Sequence, residues 1–377
     1  MKILLGADLV PTKSNLELFK NGDAETLIGE NLTELFRGVD YRIFNLEVPL
    51  TDREQPIKKC GPNLAAPTDA VAGYKAIGVD LLTLANNHIL DQGAEGLNST
   101  MKVLSDNNIA YLGAGANIDE ASKTHIAEID GKKIGVYACA EHEFSIADNK
   151  TAGANPFDPL ETPDCVAALK KQCDFVIVLY HGGKEHYRYP SPYLQKVCRK
   201  LADKGADLII CQHSHCIGGE EKYNGSTIVY GQGNFLFDCS DNEFWQTALL
   251  VQIDSEFNVT YIPLKKNGNT VRLAQEADAE KILNDFAERS KQIAETGFVE
   301  EKYKEFAELM IDGYLVKMSG VYKNFIFRVI NKLTGYRFEK FVISQKYDEK
   351  TVLAFENFIE CEAHRELFLS GLKEKRR

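Results

Sequence analysis

"LIICQHSHCIGG", residues 208–219, is a short apolar run followed at once by two histidines one residue apart, with a cysteine on either side. Near-continuous apolar character in so short a run fits a strand covered on both faces, the kind found in parallel sheets. Its polar end reads three ways: a metal site, a small zinc knuckle, or an ordinary strand end. Cys211 and Cys216 have no C-x-x-C partner, which argues against the knuckle.

Outward from this stretch, similar runs recur: "KILLG" (2–6), "YRIFNLE" (41–47), "VDLLTLA" (79–85), "IAYLGAG" (109–115), "KIGVYAC" (133–139), "CDFVIVLYH" (173–181) and "DLIICQH" (207–213). Helical patterns lie between them at 24–37, 68–77, 94–106 and 191–204, the second opened by Pro67 and Thr68. This alternation of strand and helix is the signature of βαβ units and an α/β fold. After His215 the pattern turns to hairpins: "EEKYNGSTIVYG", "QTALLVQID" and "NVTYIPLKK" carry turn residues such as Asn224-Gly225. "KKNGNT" (265–270) marks a boundary, giving an expected first domain at 1–268 and a helical region at 269–377.

Bulk properties exclude several classes. The chain of 377 residues is 44% apolar and 26% charged, as an ordinary globular protein is. Its net charge of −11 argues against non-specific binding of nucleic acid, and no nucleic-acid partner is expected. "MKILLGADLVP" is too short for a secretory apolar segment, and nowhere do 18 uncharged apolar residues run together. Nine cysteines without repeated spacing read as reduced thiols. The expected address is cytoplasmic, or peripheral to the inner face of the membrane. No G-x-G-x-x-G or P-loop follows the first strand and no G-x-S-x-G elbow is present, so nucleotide cradles and serine hydrolases are disfavoured.

The polar residues collect at strand ends. The first strand delivers Asp8; the second, Asn45 and Glu47; the third, Asn86, Asn87 and His88; a later one, His181; the opening stretch, His213 and His215. In an open parallel sheet these ends share one rim, where ligands bind. Asp, Glu, Asn and His coordinate intermediate divalent cations, and imidazole suits Zn, Fe or Ni better than Mg. Residues i and i+2 of a strand point the same way, so His213 and His215 can aim at one centre. Each residue also has a plain reading: Asp8 as a turn former, Glu47 as a surface charge, Asn86 and Asn87 as a left-handed turn. Five of the eight histidines (His88, His181, His186, His213, His215) fall in these stretches, more than chance readily gives. His125, His142 and His364 receive no role, although His142 in "CAEHEF" also follows a strand and stays an extra candidate.

In the C-terminal region every charged side chain between Asp312 and Glu339 is basic: Lys317, Lys323, Arg328, Lys332 and Arg337. They alternate with Tyr, Phe, Val and Ile. This reads as a core helix with cations reaching to the surface, or as an amphipathic surface for a membrane or a partner.

In order along the chain, "GAD" (6–8), "NLEVPLT" (45–51), "LANNHILDQG" (84–93), "HGGKEHYRYPSPYLQ" (181–195), "CQHSHCIGG" (211–219) and "VYGQGNFLFD" (229–238) resemble the bacterial capsule-synthesis family called CapA. Its members are also described as poly-gamma-glutamate synthesis proteins, with a domain similar to a calcineurin-type metallophosphatase. The resemblance covers about two thirds of the chain. It implies an α/β, metallo-dependent phosphatase-like two-sheet sandwich flanked by helices, with a C-terminal helical appendage. Periodicity alone also allows an α/β barrel.

By the same resemblance Asp8, Glu47, Asn87, His181, His213 and His215 are expected to hold one or two divalent metal ions (Zn, Mn or Fe), with Glu47 between them. His88 would protonate a leaving group and Asp91 would orient it; Glu185 and Asn234 would either support the metal-binding residues from behind or contact substrate, and Asn45 would contact substrate. The implied function is metal-dependent hydrolysis of a phosphoester, or of an amide or ester in a cell-surface polymer or its precursor. An anionic or polymer-related substrate is expected, and a polymer-synthesis complex or membrane surface would be met through 313–338. The alternative is a non-catalytic metal-binding accessory of a polymer synthesis or export complex. Phosphatases of this type begin Asp-x-His, whereas this chain has Asp8-Leu9-Val10, and Glu47 stands where an Asp is usual.

Overall fold

The computed structural model describes residues 1–237 and 241–376, so Asp238 of the last motif and Cys239 lie outside the described residues. Two compact units are present, Met1–Glu300 and Glu301–Arg377. The first extends past the boundary expected at 268/269, because the strand Thr270–Leu273 pairs with Val259–Asn267 and the helix Glu276–Ala294 packs on strands Glu220–Tyr223 and Val259–Asn267.

The first unit is built on two sheets. One has eight strands in the order Thr270–Leu273, Val259–Asn267, Thr247–Ile253, Ile3–Leu9, Tyr41–Asn45, Leu81–Thr83 and Ala110–Leu112, with Asn234–Leu236 joined in parallel to the end of Ile3–Leu9. The other has six, in the order Glu220–Tyr223, Ser226–Val229, Leu208–Gln212, Phe175–His181, Lys132–Ala140 and His125–Ile129. Both are open at their edges, so the architecture is the two-sheet sandwich and not the barrel.

Period-2 alternation explains the layers. Ile3, Leu5, Ile43 and Leu81 on the first sheet share a core with Val136, Ile177 and Ile210 on the second. The alternate residues Leu4, Phe44 and Leu82 face Phe19, Leu32, Phe36, Tyr74 and Leu97 from helices. On the far side, Tyr137, Val176, Val178 and Ile209 pack against Val166, Val197 and Leu201 of the helices Thr162–Lys170 and Pro192–Asp203. Strands covered on both faces must be apolar nearly throughout, which is why the central runs read so plainly.

Local details depart from expectation where single residues decide. The helical pattern at 24–37 is broken into Ala24–Ile28 and Glu30–Arg37 by Gly29 at φ 80°. The strand His125–Ile129 was not expected; it joins Lys132–Ala140 through Asp130 and Gly131, both at positive φ. The Asn224-Gly225 hairpin forms as expected, with φ of 48° and 84°. Ser191 caps the helix Pro192–Asp203, accepting from the Leu194 N–H at 3.0 Å.

Gly6 lies where the first strand passes under Phe44, and a Cβ there would overlap that ring. Phe44 is itself wedged against Phe36 and Phe235, with ring centroids 5.9 and 4.8 Å away. Gly6→Ala is therefore expected to cost about 1–3 kcal/mol through overpacking. Urea unfolding measures it, and an unchanged midpoint would contradict this packing.

The second unit is helical and weakly cored. Among the described residues only Val316, Phe327 and Ile343 form its buried cluster. Of the described residues, no helix is long and apolar enough to cross a membrane.

Candidate metal centre

The parallel strands of both sheets end at one rim, and the chemistry collects there. Asp8 sits at the end of Ile3–Leu9, Asn45 ends the next strand, and Glu47 follows it. His181 is the last residue of Phe175–His181. Leu208–Gln212 stops one residue before His213, so strand alternation is not what aims the two histidines. Instead His213 and His215 turn inward from a bend, at φ of 77° and 53°. A left-handed conformation at a non-glycine residue costs on the order of 1–3 kcal/mol and persists only where its surroundings over-determine it.

Two overlapping groups of donors result. Ligand atoms of Glu47, His181 and His213 lie within 4.8 Å of one another, as do those of Asp8, Glu47 and His215, and all are buried. His181 Nε2 faces Asn87 Oδ1 at 3.0 Å, His213 Nδ1 at 3.1 Å and Glu47 Oε1 at 3.2 Å. One N–H cannot serve three partners; a shared cation can. His215 Nδ1 lies 2.8 Å from Asn234 Oδ1 and 3.4 Å from Asp8 Oδ2.

Glu47 decides the fit. Its side chain has 0% exposure and neither carboxylate oxygen accepts a hydrogen bond. A buried carboxylate without partners is costly, so the arrangement calls for positive charge. Burial, and then the neighbouring Asp8, push the Glu47 carboxyl up to about 8. Burial also opposes ionisation of Asp8, yet its bond to His215 and the nearby His181 hold it below the ordinary value. Burial keeps His181 neutral, down to about 4, and lowers His213 as well. Burial opposes protonation of His215 too, but Asp8 and Glu47 carry it up to about 9. Three imidazoles and two carboxyl groups, which lose their protons when a cation binds, are the donor set of an intermediate divalent ion.

Beside these groups, His88 Nδ1 is 2.6 Å from Asp91 Oδ2, and the other Asp91 oxygen receives Lys59 Nζ at 2.5 Å. The Leu64 N–H also donates to Asp91, at 2.6 Å. Lys59 comes from the loop before residue 66; its side chain is nearly fully buried and reaches the Asn87 carbonyl as well. Sequence reasoning missed it, because a lysine in "REQPIKKCGP" reads as solvated. Trp245 was missed too; its ring stands 5.1 Å from His215 and its indole N–H donates to His186 at 2.9 Å.

Of the residues expected to meet substrate, Asn45 is fully engaged inside. Its Nδ2 donates to Asp8 at 2.7 Å, and its Oδ1 accepts from Thr83 and Asn86. It therefore orients Asp8. Asn234 is buried against His215, while Glu185 is exposed. His142 is exposed, and His125 bonds Tyr41 at 2.9 Å, away from the rim. Cys211 points into the outer core, its thiol 3.6 Å from Cys198, so the knuckle reading falls.

Fold and site together define an α/β sandwich with a buried carboxylate–imidazole centre at the strand-end rim. The chain belongs to the bacterial capsule synthesis protein PGA_cap family, whose model matches residues 3–239. Relatives include the PGA biosynthesis protein CapA of Bacillus subtilis, 30% identical over 62% of this chain and 60% of that one. The capsule biosynthesis protein CapA of Bacillus anthracis is 28% identical, over 55% of this chain and 53% of that one. The chain thus spans a little over half the length of these curated relatives. Among solved structures, a phosphatase from Mycoplasma pneumoniae is 16% identical with a TM-score of 0.44, over 71% of this chain and 94% of that one.

Proposed function

We propose that this protein is a metal-dependent hydrolase acting on a phosphoester, or on an amide or ester of a cell-surface polymer or its precursor, in capsule or poly-gamma-glutamate synthesis. The observation that carries it is Glu47: a fully buried carboxylate without a hydrogen-bond partner, common to both donor groups. Asp8, Glu47 and His215 would hold one ion, and Glu47, His181 and His213 with Asn87 a second; Zn, Mn or Fe fits this donor set. Bound ions of this kind supply Lewis acidity toward a phosphoryl or acyl oxygen and activation of water.

The remaining work falls to the chain. Asp91, fixed by Lys59 and the Leu64 N–H, holds the His88 ring by Nδ1 and leaves Nε2 to deliver a proton to a leaving group. Asn45 keeps Asp8 turned to the centre, and Asn234 does the same for His215. Exposed Glu185 is the candidate for substrate contact. The eight described cysteines are free, which supports a cytoplasmic address.

The test is elemental analysis of protein purified without chelator, followed by phosphoester, peptide and glycan panels. Retained Zn, Mn or Fe with turnover in one panel is expected; metal-loaded protein inert in all three overturns the reading. A second reading, a non-catalytic metal-binding accessory of a polymer-synthesis complex, is favoured by one observation. Where Asp-x-His would supply another imidazole stands Val10, buried in the core.

A further inference from the structure

The second unit leaves apolar side chains uncovered on several helices, and on one of them, Phe325–Leu333, the only charged residues are cations. In Phe325–Leu333, Phe327 and Asn331 turn inward, Phe327 into the small core and Asn331 onto Glu339 at 2.7 Å. Phe325, Ile326, Val329 and Leu333 occupy the opposite face, at 70%, 66%, 41% and 80% exposure. Their spacing of one, four and eight puts them on a single stripe. Arg328 and Lys332, one turn apart, run along the edge of that stripe, and the Arg328 guanidinium leans over the Phe325 ring at 5.9 Å. Tyr322 and Tyr336 stand exposed just beyond the two ends.

We propose that this face docks the protein on an anionic lipid bilayer. An amphipathic helix that sinks a Phe/Ile/Val/Leu stripe into the headgroup boundary, with cations level with lipid phosphates, is the standard interfacial arrangement. Exposed tyrosines at either end suit the same depth, where a ring can be half apolar and half wet. Charge selects the occupant. From residue 313 to 338 five side chains are cationic and none is anionic, in a chain of net charge −11. A second copy would set these cations against their own kind, and protein interfaces are depleted in lysine at their cores. An anionic leaflet attracts each of them.

The experiment is flotation of the full chain with phosphatidylcholine vesicles, with and without phosphatidylglycerol. The protein is expected to float with the anionic vesicles only, and less as salt rises. Arg328→Glu combined with Lys332→Glu is expected to lower partition at least about twentyfold, since each lost cation is worth about fivefold. Phe325→Ser combined with Leu333→Ser is expected to abolish it at unchanged circular dichroism, because both side chains are solvated in the folded chain. Three results overturn the proposal: no flotation with anionic vesicles, equal flotation of wild type and both variants, or a dimer in sedimentation that the apolar variant dissolves while vesicles capture neither.

Discussion

Glu47→Ala is expected to empty the centre of metal and to abolish the response of folding stability to chelator. The shared carboxylate belongs to both donor groups, so its removal takes an oxygen from each at once. In the parent protein, an ion present at a thousandfold over its dissociation constant adds roughly 4 kcal/mol to the folded state, and chelator removes that contribution. In Glu47→Ala, chelator changes nothing. Elemental analysis and calorimetry with and without chelator measure both; full metal content in Glu47→Ala would end the proposal that this carboxylate binds the ions.

His88→Ala is expected to lower turnover roughly 10²- to 10⁴-fold, the usual worth of a positioned general acid, while metal content and fold stay as they were. His88 belongs to neither donor group, so the ions lose no direct ligand. Nor does the substitution strand a buried charge, because Asp91 keeps Lys59 at 2.5 Å and the Leu64 N–H at 2.6 Å. The loss should appear in kcat with little change in KM, since the proton is needed in the transition state and not for binding. Undiminished kcat, or loss of metal along with rate, would remove His88 from the role of acid.

That Asp8, Glu47, His181, His213 and His215 come together was legible in part, because parallel strands collect their polar ends. Once "KILLG" and "YRIFNLE" are recognised as neighbouring parallel strands, their polar ends share a rim, and so do those of "CDFVIVLYH" and "DLIICQH". The means of convergence was not legible at His213 and His215: both lie past the strand, in a bend whose left-handed φ values no pattern of period two encodes. Lys59 was invisible for a different reason. Its loop has no periodicity, and a charge there is buried only because Asp91 from a distant segment meets it. Asn45 is expected at substrate through the family resemblance, whereas its hydrogen bonds turn it inward.

The amino-acid order alone determined which segments are strands, that they are covered on both faces, and which donor types stand at their ends, because these follow from local periodicity and side-chain chemistry. Only the tertiary structure decided that Asp8 and Glu47 of one sheet meet His181, His213 and His215 of the other, since that meeting depends on two sheets stacking through a common apolar core. It alone also decided that Glu47 ends buried with its oxygens unmatched, because burial is a property of what the rest of the chain puts around a residue.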